Sequence, residues 1–219
     1  MGILKEKIAL ILLENKAVTL NADEPYTFVS GIRSPIYCDN RILTFYPEAR
    51  RILCQAFNGI VSPLEVDVIA GTASSAISWA AWTAQKLEKP MVYIRKKEKD
   101  YGKEKLVEGG DIKGKKIVVI EDLVSTGGSS INAVQACREA GAEVVAMVAI
   151  FTYEFEKSKR MFEEAGCKTF FLTDFGTLAR VAAENNFLDK KQLAIVREWN
   201  RDAQAWGPKH GFALGEKKN

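Results

Sequence analysis

Apolar positions along the chain follow two different periods, and each change of period marks a change of element. Leu4, Ile8, Ile11 and Leu12 recur at helical spacing and predict a helix over residues 3–15. Residues 18–20 and 36–38 read as short strands on either side of the turn-rich stretch ADEPYTFVSGIRSP. Pro47 stands where a first helical residue belongs, so a helix is expected from there to Gly59. Beyond it, aliphatic runs at 66–70, 91–94, 117–120, 143–151 and 168–172 alternate with amphipathic stretches. Those stretches predict helices at 74–89, with Ile77, Ala80, Ala81, Ala84 and Leu87 on one face, at 130–142 and at 156–166. Asp174 or Thr173 is expected to cap a short helix running through Ala183, and Asp189 with Gln192 has capping-box spacing for a last one.

Aliphatic strands joined through helices need crossover connections. These give an α/β fold with a central parallel sheet flanked by helices. In such sheets ligands bind outside the carboxyl ends of the strands, so the residues directly after each strand are the candidates for chemistry. Residues 1–45 do not join the alternation and are expected to form a small hood over that end of a single 219-residue domain.

Composition removes several classes of function. Hydrophobic residues at 47% and charged residues at 27% are ordinary for a globular protein. The apolar N-terminus is interrupted by Lys5, Glu6, Lys7 and Glu14 and has no small-residue cleavage site, so neither a membrane span nor a leader is expected. A formal net charge of +3 is too small to make nucleic acid the main ligand. Cys38, Cys54, Cys137 and Cys167 form no CxxC pair and have no His nearby, which points to core packing in a reducing cytoplasm. His210, in the polar tail GPKHGFALGEKKN, is expected to be solvated.

The strand ends carry the candidate chemistry. The run at 117–120 finishes in two adjacent carboxylates, Glu121 and Asp122. Paired negative charge there is unfavourable unless donors or a cation meet it, and a sugar diol, a metal or a developing carbocation would each do so. Ser125, Thr126, Gly127, Gly128 and Ser129 follow, a series of amides and hydroxyls ahead of a helix with the composition of an anion cradle. The pattern is neither GxGxxG nor a P-loop, since no GK[ST] closes it. A diol reader this close to a phosphate cradle matches the two ends of one ribose 5-phosphate. The strand at 66–70 runs into Gly71, Thr72, Ala73, Ser74 and Ser75, small residues that serve either a tight turn or a second anion site. Between the strands at 91–94 and 117–120, the segment RKKEKDYGKEK holds six basic residues against three acidic ones, as a solvated loop or a lid would.

The stretch VVIEDLVSTGGSS resembles the 5-phosphoribosyl 1-pyrophosphate (PRPP) signature of the type I phosphoribosyltransferases. Other segments narrow the resemblance to the orotate phosphoribosyltransferases. RKKEKDYG is similar to their basic catalytic loop RKxxKxHG, YTFVSGIRSPIYCDNR to their orotate-side segment, and GTASSAISWAAW to their pyrophosphate loop. AIFTYE and LTDF match later strands, so the likeness covers nearly the whole chain. The sequence departs from the family pattern at Tyr101, where His is usual, and at Val29, where one branch has Lys. The PRPP motif alone would also suit a transferase for another nucleobase or a PRPP-sensing regulator. The basic loop paired with SGIRSP selects an anionic pyrimidine, and no basic helix-turn-helix pattern supports a regulator.

The resemblance implies the type I phosphoribosyltransferase fold and transfer of the phosphoribosyl group from PRPP to orotate, giving orotidine 5′-phosphate and pyrophosphate. Lys99, Arg95, Asp122 and Glu121 are the implied catalytic residues. PRPP contacts are implied at Arg95, Lys96, Lys99, Tyr101, Glu121, Asp122, Leu123, Val124, Ser125, Thr126, Gly127, Gly128 and Ser129, with Thr72 and Ala73 in the pyrophosphate loop. Ser125 is implied to touch orotate as well. Because orotate carries a carboxylate, Arg33 in the hood segment is the candidate cation for it. Mg²⁺ is expected to arrive on PRPP with no direct protein ligand. The protein is expected to be a cytoplasmic homodimer whose basic loop reaches the neighbouring site, with no nucleic-acid or membrane partner.

Overall fold

Residues 2–28, 31–96 and 106–213 are described by a computed structural model. In chain order they form α1 (Gly2–Glu14), β1 (Val18–Leu20), β2 (Tyr26–Thr27), β3 (Arg33–Ser34), β4 (Ile36–Cys38), α2 (Pro47–Val61), β5 (Val68–Thr72), α3 (Ile77–Leu87), β6 (Met91–Ile94) and β7 (Val107–Glu108). Then come β8 (Lys116–Val124), α4 (Gly128–Glu139), β9 (Glu143–Thr152), α5 (Glu156–Glu164), β10 (Thr169–Asp174), α6 (Phe175–Glu184), α7 (Lys190–Arg201) and α8 (Ala203–Lys209). Two units result: Thr44–Asp174, and Met1–Leu43 together with Phe175–Asn219. Both chain ends therefore belong to the second of these.

The unit 44–174 is a six-stranded sheet in the order β10-β9-β8-β5-β6-β7. The pairs from β10 to β6 are parallel, as the strand–helix alternation implies, and β7 adds an antiparallel edge. β8 and β9 are aliphatic on both faces because both faces are covered. Ile117, Val118, Val119 and Ile120 of β8 and Ala146 through Phe151 of β9 are fully buried. Helix α3 packs close on β5: a Cβ on Gly71 would lie 2.7 Å from Ala80 Cβ, so only glycine allows that approach.

Several boundaries move for identifiable reasons. β5 is shifted two residues toward the carboxyl end of the expected strand, spanning 68–72 in place of 66–70. Asp67 takes the position before it, donating its amide to the Lys116 carbonyl and accepting the Lys116 amide on Oδ2. Helix α2 does not stop at Gly59, because continuing to residue 61 buries Val61; left-handed Glu65 then closes a short 3₁₀ turn over Ser62–Leu64. Helix α3 begins at Ile77, leaving residues 73–76 as a turn in which the Ala76 amide bonds the Thr72 carbonyl. Thr173 and Asp174 end β10, with α6 starting directly at Phe175.

In the second unit, β1 pairs antiparallel with β4 and β2 with β3. Asp189 and Gln192 form the expected capping box of α7. Trp199 of α7 is fully buried, donates its indole N–H to the Arg33 carbonyl at 3.0 Å, and stands against Phe28 and Phe175. Helix α8 was not expected. Its Trp206 and Gly207 are buried despite Pro208, and His210 ends it. His210 remains exposed, as expected of it, but its ring stacks on Trp206 and meets Glu198 Oε2 at 3.0 Å.

Candidate functional site

The strand order contains a topological switch. From β5 the chain crosses through α3 to β6 on one side, whereas from β8 it crosses through α4 to β9 and through α5 to β10 on the other. A crevice between β5 and β8 at their carboxyl ends is where such a sheet binds ligands. The two carboxylates sit there, but not at a strand terminus as expected. β8 continues through Val124, pairing with β9 as far as Val124↔Thr152, while its pairing with β5 stops at Gly71↔Ile120. Glu121 and Asp122 therefore belong to a strand that has outrun one of its neighbours.

Side chains from the β5–α3 turn meet them across this step. The Thr72 hydroxyl donates to Glu121 Oε1 at 2.6 Å, and the Ser75 hydroxyl donates to Asp122 Oδ1 at 2.8 Å. The Asp122 amide donates to the same Glu121 oxygen at 3.0 Å, and Ser130 Oγ of α4 lies 3.5 Å from the other. Glu121 is 6% exposed whereas Asp122 is half-buried. Burial, and next the adjacent Asp122 charge, push the Glu121 carboxyl up toward its neutral form, against the Thr72 hydrogen bond. Ser75 carried only a generic turn signal in the sequence, and its partnership with Asp122 depends on the switch geometry.

That shift has a sign that can be measured. A carboxyl whose folded pKa rises from 4.5 to about 8 contributes stability that is fully present below 4.5 and lost as pH climbs through 8. Glu121→Gln removes the titration while keeping an acceptor for Thr72. In thermal melts of the ligand-free protein, wild type should lose Tm relative to this variant between pH 4.5 and 8. A Tm difference that stays flat across that window would contradict the assignment.

After β8, Ser125 is half-buried, Thr126 and Ser129 are exposed, and Leu123 is half-buried. Val124 is fully buried in the core, so only its backbone can face a ligand. Gly127 is the N-cap of α4, with φ of 86° and no capping side chain, which leaves the first helical amides to an external acceptor. The Gly127 conformation also brings it against α5, where a Cβ would lie 3.1 Å from Ser158 Cβ and 3.2 Å from its Cα. A Cβ on Gly128, by contrast, would meet no described atom within 4 Å.

On the other side of the switch, Thr72 is buried and the Ala73 amide donates to the Ile94 carbonyl at 2.7 Å, with a cis peptide between Ala73 and Ser74. Arg95 thus leaves β6 beside the 72–75 turn. Its amide bonds the Leu106 carbonyl at 2.9 Å and its Nη1 donates to Glu108 Oε1 at 3.2 Å. Lys96 is exposed; Lys99, Tyr101 and Val29 lie outside the described residues. Arg33 belongs to the other unit, where its Nη1 donates to Thr27 Oγ1 at 2.8 Å and its Nε to the Ala213 carbonyl at 3.0 Å.

Among the described residues, no group of three or more His, Cys, Asp or Glu is arranged to hold a metal ion. The chemistry of the donor set suits a ligand that brings hydroxyl donors, or a cation of its own, to the Glu121–Asp122 pair. No helix among the described residues is long and apolar enough to cross a membrane.

Residues 40–183 match the model of the phosphoribosyl transferase domain family. A Listeria innocua protein named orotate phosphoribosyltransferase is 45% identical over 206 residues, which is 93% of this chain and 99% of the relative. The orotate phosphoribosyltransferase structure of Aeropyrum pernix superposes with a TM-score of 0.72 at 23% identity, covering 83% of this chain and 99% of that one. Leishmania donovani UMP synthase superposes with a TM-score of 0.76 at 27% identity over 90% of this chain, which spans 42% of that longer protein. The paired acids and the uncapped helix start therefore lie at the switch point of a phosphoribosyltransferase sheet, and the chain belongs to the orotate phosphoribosyltransferase family.

Proposed function

We infer that the chain transfers the 5-phosphoribosyl group from PRPP to N1 of orotate, releasing pyrophosphate and giving orotidine 5′-phosphate in pyrimidine biosynthesis. The observation that carries this reading is the pair of hydrogen bonds across the switch, Thr72 to Glu121 and Ser75 to Asp122. They tie the pyrophosphate-loop segment to the diol-reading acids, so both ends of the scissile C1–oxygen bond are addressed by one rigid junction.

The roles follow from where charge develops. Breaking the C1–pyrophosphate bond leaves positive charge on the ribose and negative charge on the leaving group. Glu121 and Asp122 accept from the 2′ and 3′ hydroxyls, and the negative charge, carried chiefly by Asp122, favours the oxocarbenium-like ribose. The 125–129 segment and the first amides of α4 hold the 5′-phosphate. Arg95 and Lys99, with Lys96 and Tyr101 beside them, meet the pyrophosphate together with Thr72 and Ala73. Mg²⁺ enters as part of the substrate, and when bound to the pyrophosphate it offsets part of its charge. Ser125 and Arg33 serve the orotate, with the Arg33 guanidinium as the cation for its carboxylate. The working assembly is a cytoplasmic homodimer in which the basic segment reaches the neighbouring site.

The test is an orotate absorbance assay with PRPP and Mg²⁺. Loss of the orotate signal with stoichiometric release of pyrophosphate is expected. Turnover of uracil or a purine without turnover of orotate would sink the substrate assignment.

A further inference from the structure

Glu108 is an acid in a place where a polyanion is to be bound. In the antiparallel β6–β7 pair it stands directly opposite Tyr93, and Arg95 lies two residues beyond Tyr93. Because side chains alternate along extended backbone, Tyr93, Arg95 and Glu108 share one face. Their polar atoms meet there: the Tyr93 hydroxyl donates to Glu108 Oε2, while Arg95 Nη1 donates to Glu108 Oε1 at 3.2 Å. The Arg95 and Glu108 side chains are 25% and 31% exposed, so this is not a freely solvated surface pair. The Ala73-to-Ile94 hydrogen bond fixes this cluster next to the 72–75 turn.

A carboxylate so placed repels a pyrophosphate and neutralises the cation meant to hold it. If the cluster existed only to bind polyphosphate tightly, a neutral residue would serve better at position 108. We propose that Glu108 is a positioning residue, an exchangeable counter-anion that holds the Arg95 guanidinium when no polyphosphate is present, gives it up when one binds, and thereby limits how tightly product pyrophosphate is retained. This rests on the reading that Arg95 contacts the pyrophosphate. Tyr93 sets the strength of the hold. Its phenol, pushed up by the hydrogen bond to Glu108 and then by burial, stays a proton donor and draws on carboxylate charge that would otherwise act more fully on Arg95. The two neighbours of Glu108 thus pull in opposite senses on the same ligand.

Opposed signs make the test. The inhibition constant of inorganic pyrophosphate against PRPP, with Mg²⁺ present, is measured for wild type, Glu108→Gln, Tyr93→Phe, Arg95→Ala and the Glu108→Gln/Arg95→Ala double variant. Glu108→Gln should lower that constant about threefold to fivefold, the size of a partly exposed ion pair, and lower KM for PRPP with it. Tyr93→Phe should raise both, because the carboxylate then holds Arg95 more strongly. In the Arg95→Ala background, Glu108→Gln should change nothing. A purely structural role for the hairpin would move Glu108→Gln and Tyr93→Phe in the same direction, and that result overturns the proposal. So does a Glu108→Gln effect that persists without Arg95. If Arg95→Ala raises the inhibition constant and Glu108→Gln leaves it unmoved, the proposal fails while the Arg95 reading stands. If Arg95→Ala itself has no effect, it is the Arg95 reading that fails. Should Glu108→Gln not fold, Tyr93→Phe decides alone, since a fall or no change in the constant is incompatible with the counter-anion.

Discussion

Asp122→Asn is expected to lower the single-turnover rate of orotate phosphoribosylation about 10²- to 10³-fold, the cost typical of removing one preorganised electrostatic group from a transition state. The substitution is nearly isosteric, and the amide oxygen can still accept from Ser75, whose hydroxyl lies 2.8 Å from Oδ1. The strand therefore keeps its geometry and loses only the charge. That charge matters little in bound PRPP, where the ribose is neutral, and most when the ribose carries positive charge. Binding of PRPP by calorimetry should accordingly change much less than the chemical step. A variant whose single-turnover rate is unchanged, or whose loss lies wholly in PRPP binding, would remove Asp122 from the transition-state interaction.

The second large effect separates two adjacent glycines. Gly127→Ala places a Cβ on a residue with φ of 86° and within 3.2 Å of the Ser158 backbone. The left-handed conformation alone costs about 1–2 kcal/mol for an L-residue, and the α5 backbone cannot yield as a flexible side-chain end would. This variant should be destabilised in chemical denaturation. Gly128→Ala should not be, because its Cβ meets no described atom within 4 Å and alanine favours a helical position. It should instead raise KM for PRPP about tenfold or more, the scale of a lost charge-assisted hydrogen bond, because the open side of Gly128 is where the 5′-phosphate is to approach. If Gly128→Ala were to bind PRPP normally, the phosphate would have to lie elsewhere around the helix start.

The parallel core was legible because β8 and β9 are covered on both faces, which leaves uninterrupted aliphatic runs that few other arrangements produce. The end of β8 was not. Glu121 and Asp122 look like strand terminators, yet β9 is ten residues long and supplies a partner as far as Thr152. The length of a neighbouring strand is not written in the residues it pairs with. The expected anion cradle at 125–129 was legible as composition, because an anion site at a helix start needs small residues and amides in sequence, and the structure adds that Gly127 opens α4 without a capping side chain. The support that Thr72 and Ser75 give to Glu121 and Asp122 arises only when β5 and β8 become neighbours, 49 and 47 residues apart along the chain. Glu108 carried no signal at all, since a two-residue strand has no periodicity to read. Helix α8 was hidden by Pro208 and by a glycine on either side of the Lys209–His210 pair; burial of Trp206 holds it in place against those local preferences.

The division of the chain into units has a consequence for synthesis. The unit that carries the paired acids and the uncapped start of α4 is continuous, Thr44–Asp174, whereas the other is assembled from Met1–Leu43 and Phe175–Asn219. On a ribosome, residues 1–43 emerge ahead of that unit and wait on the order of ten seconds, at ordinary elongation rates, for the segment with which α1 packs through α6. In that interval every strand of the six-stranded sheet is made before α6 is. The apolar face of α1, with Ile8, Ile11 and Leu12, lacks its α6 partner until then, so this helix waits longest for its cover and is open to misassociation meanwhile.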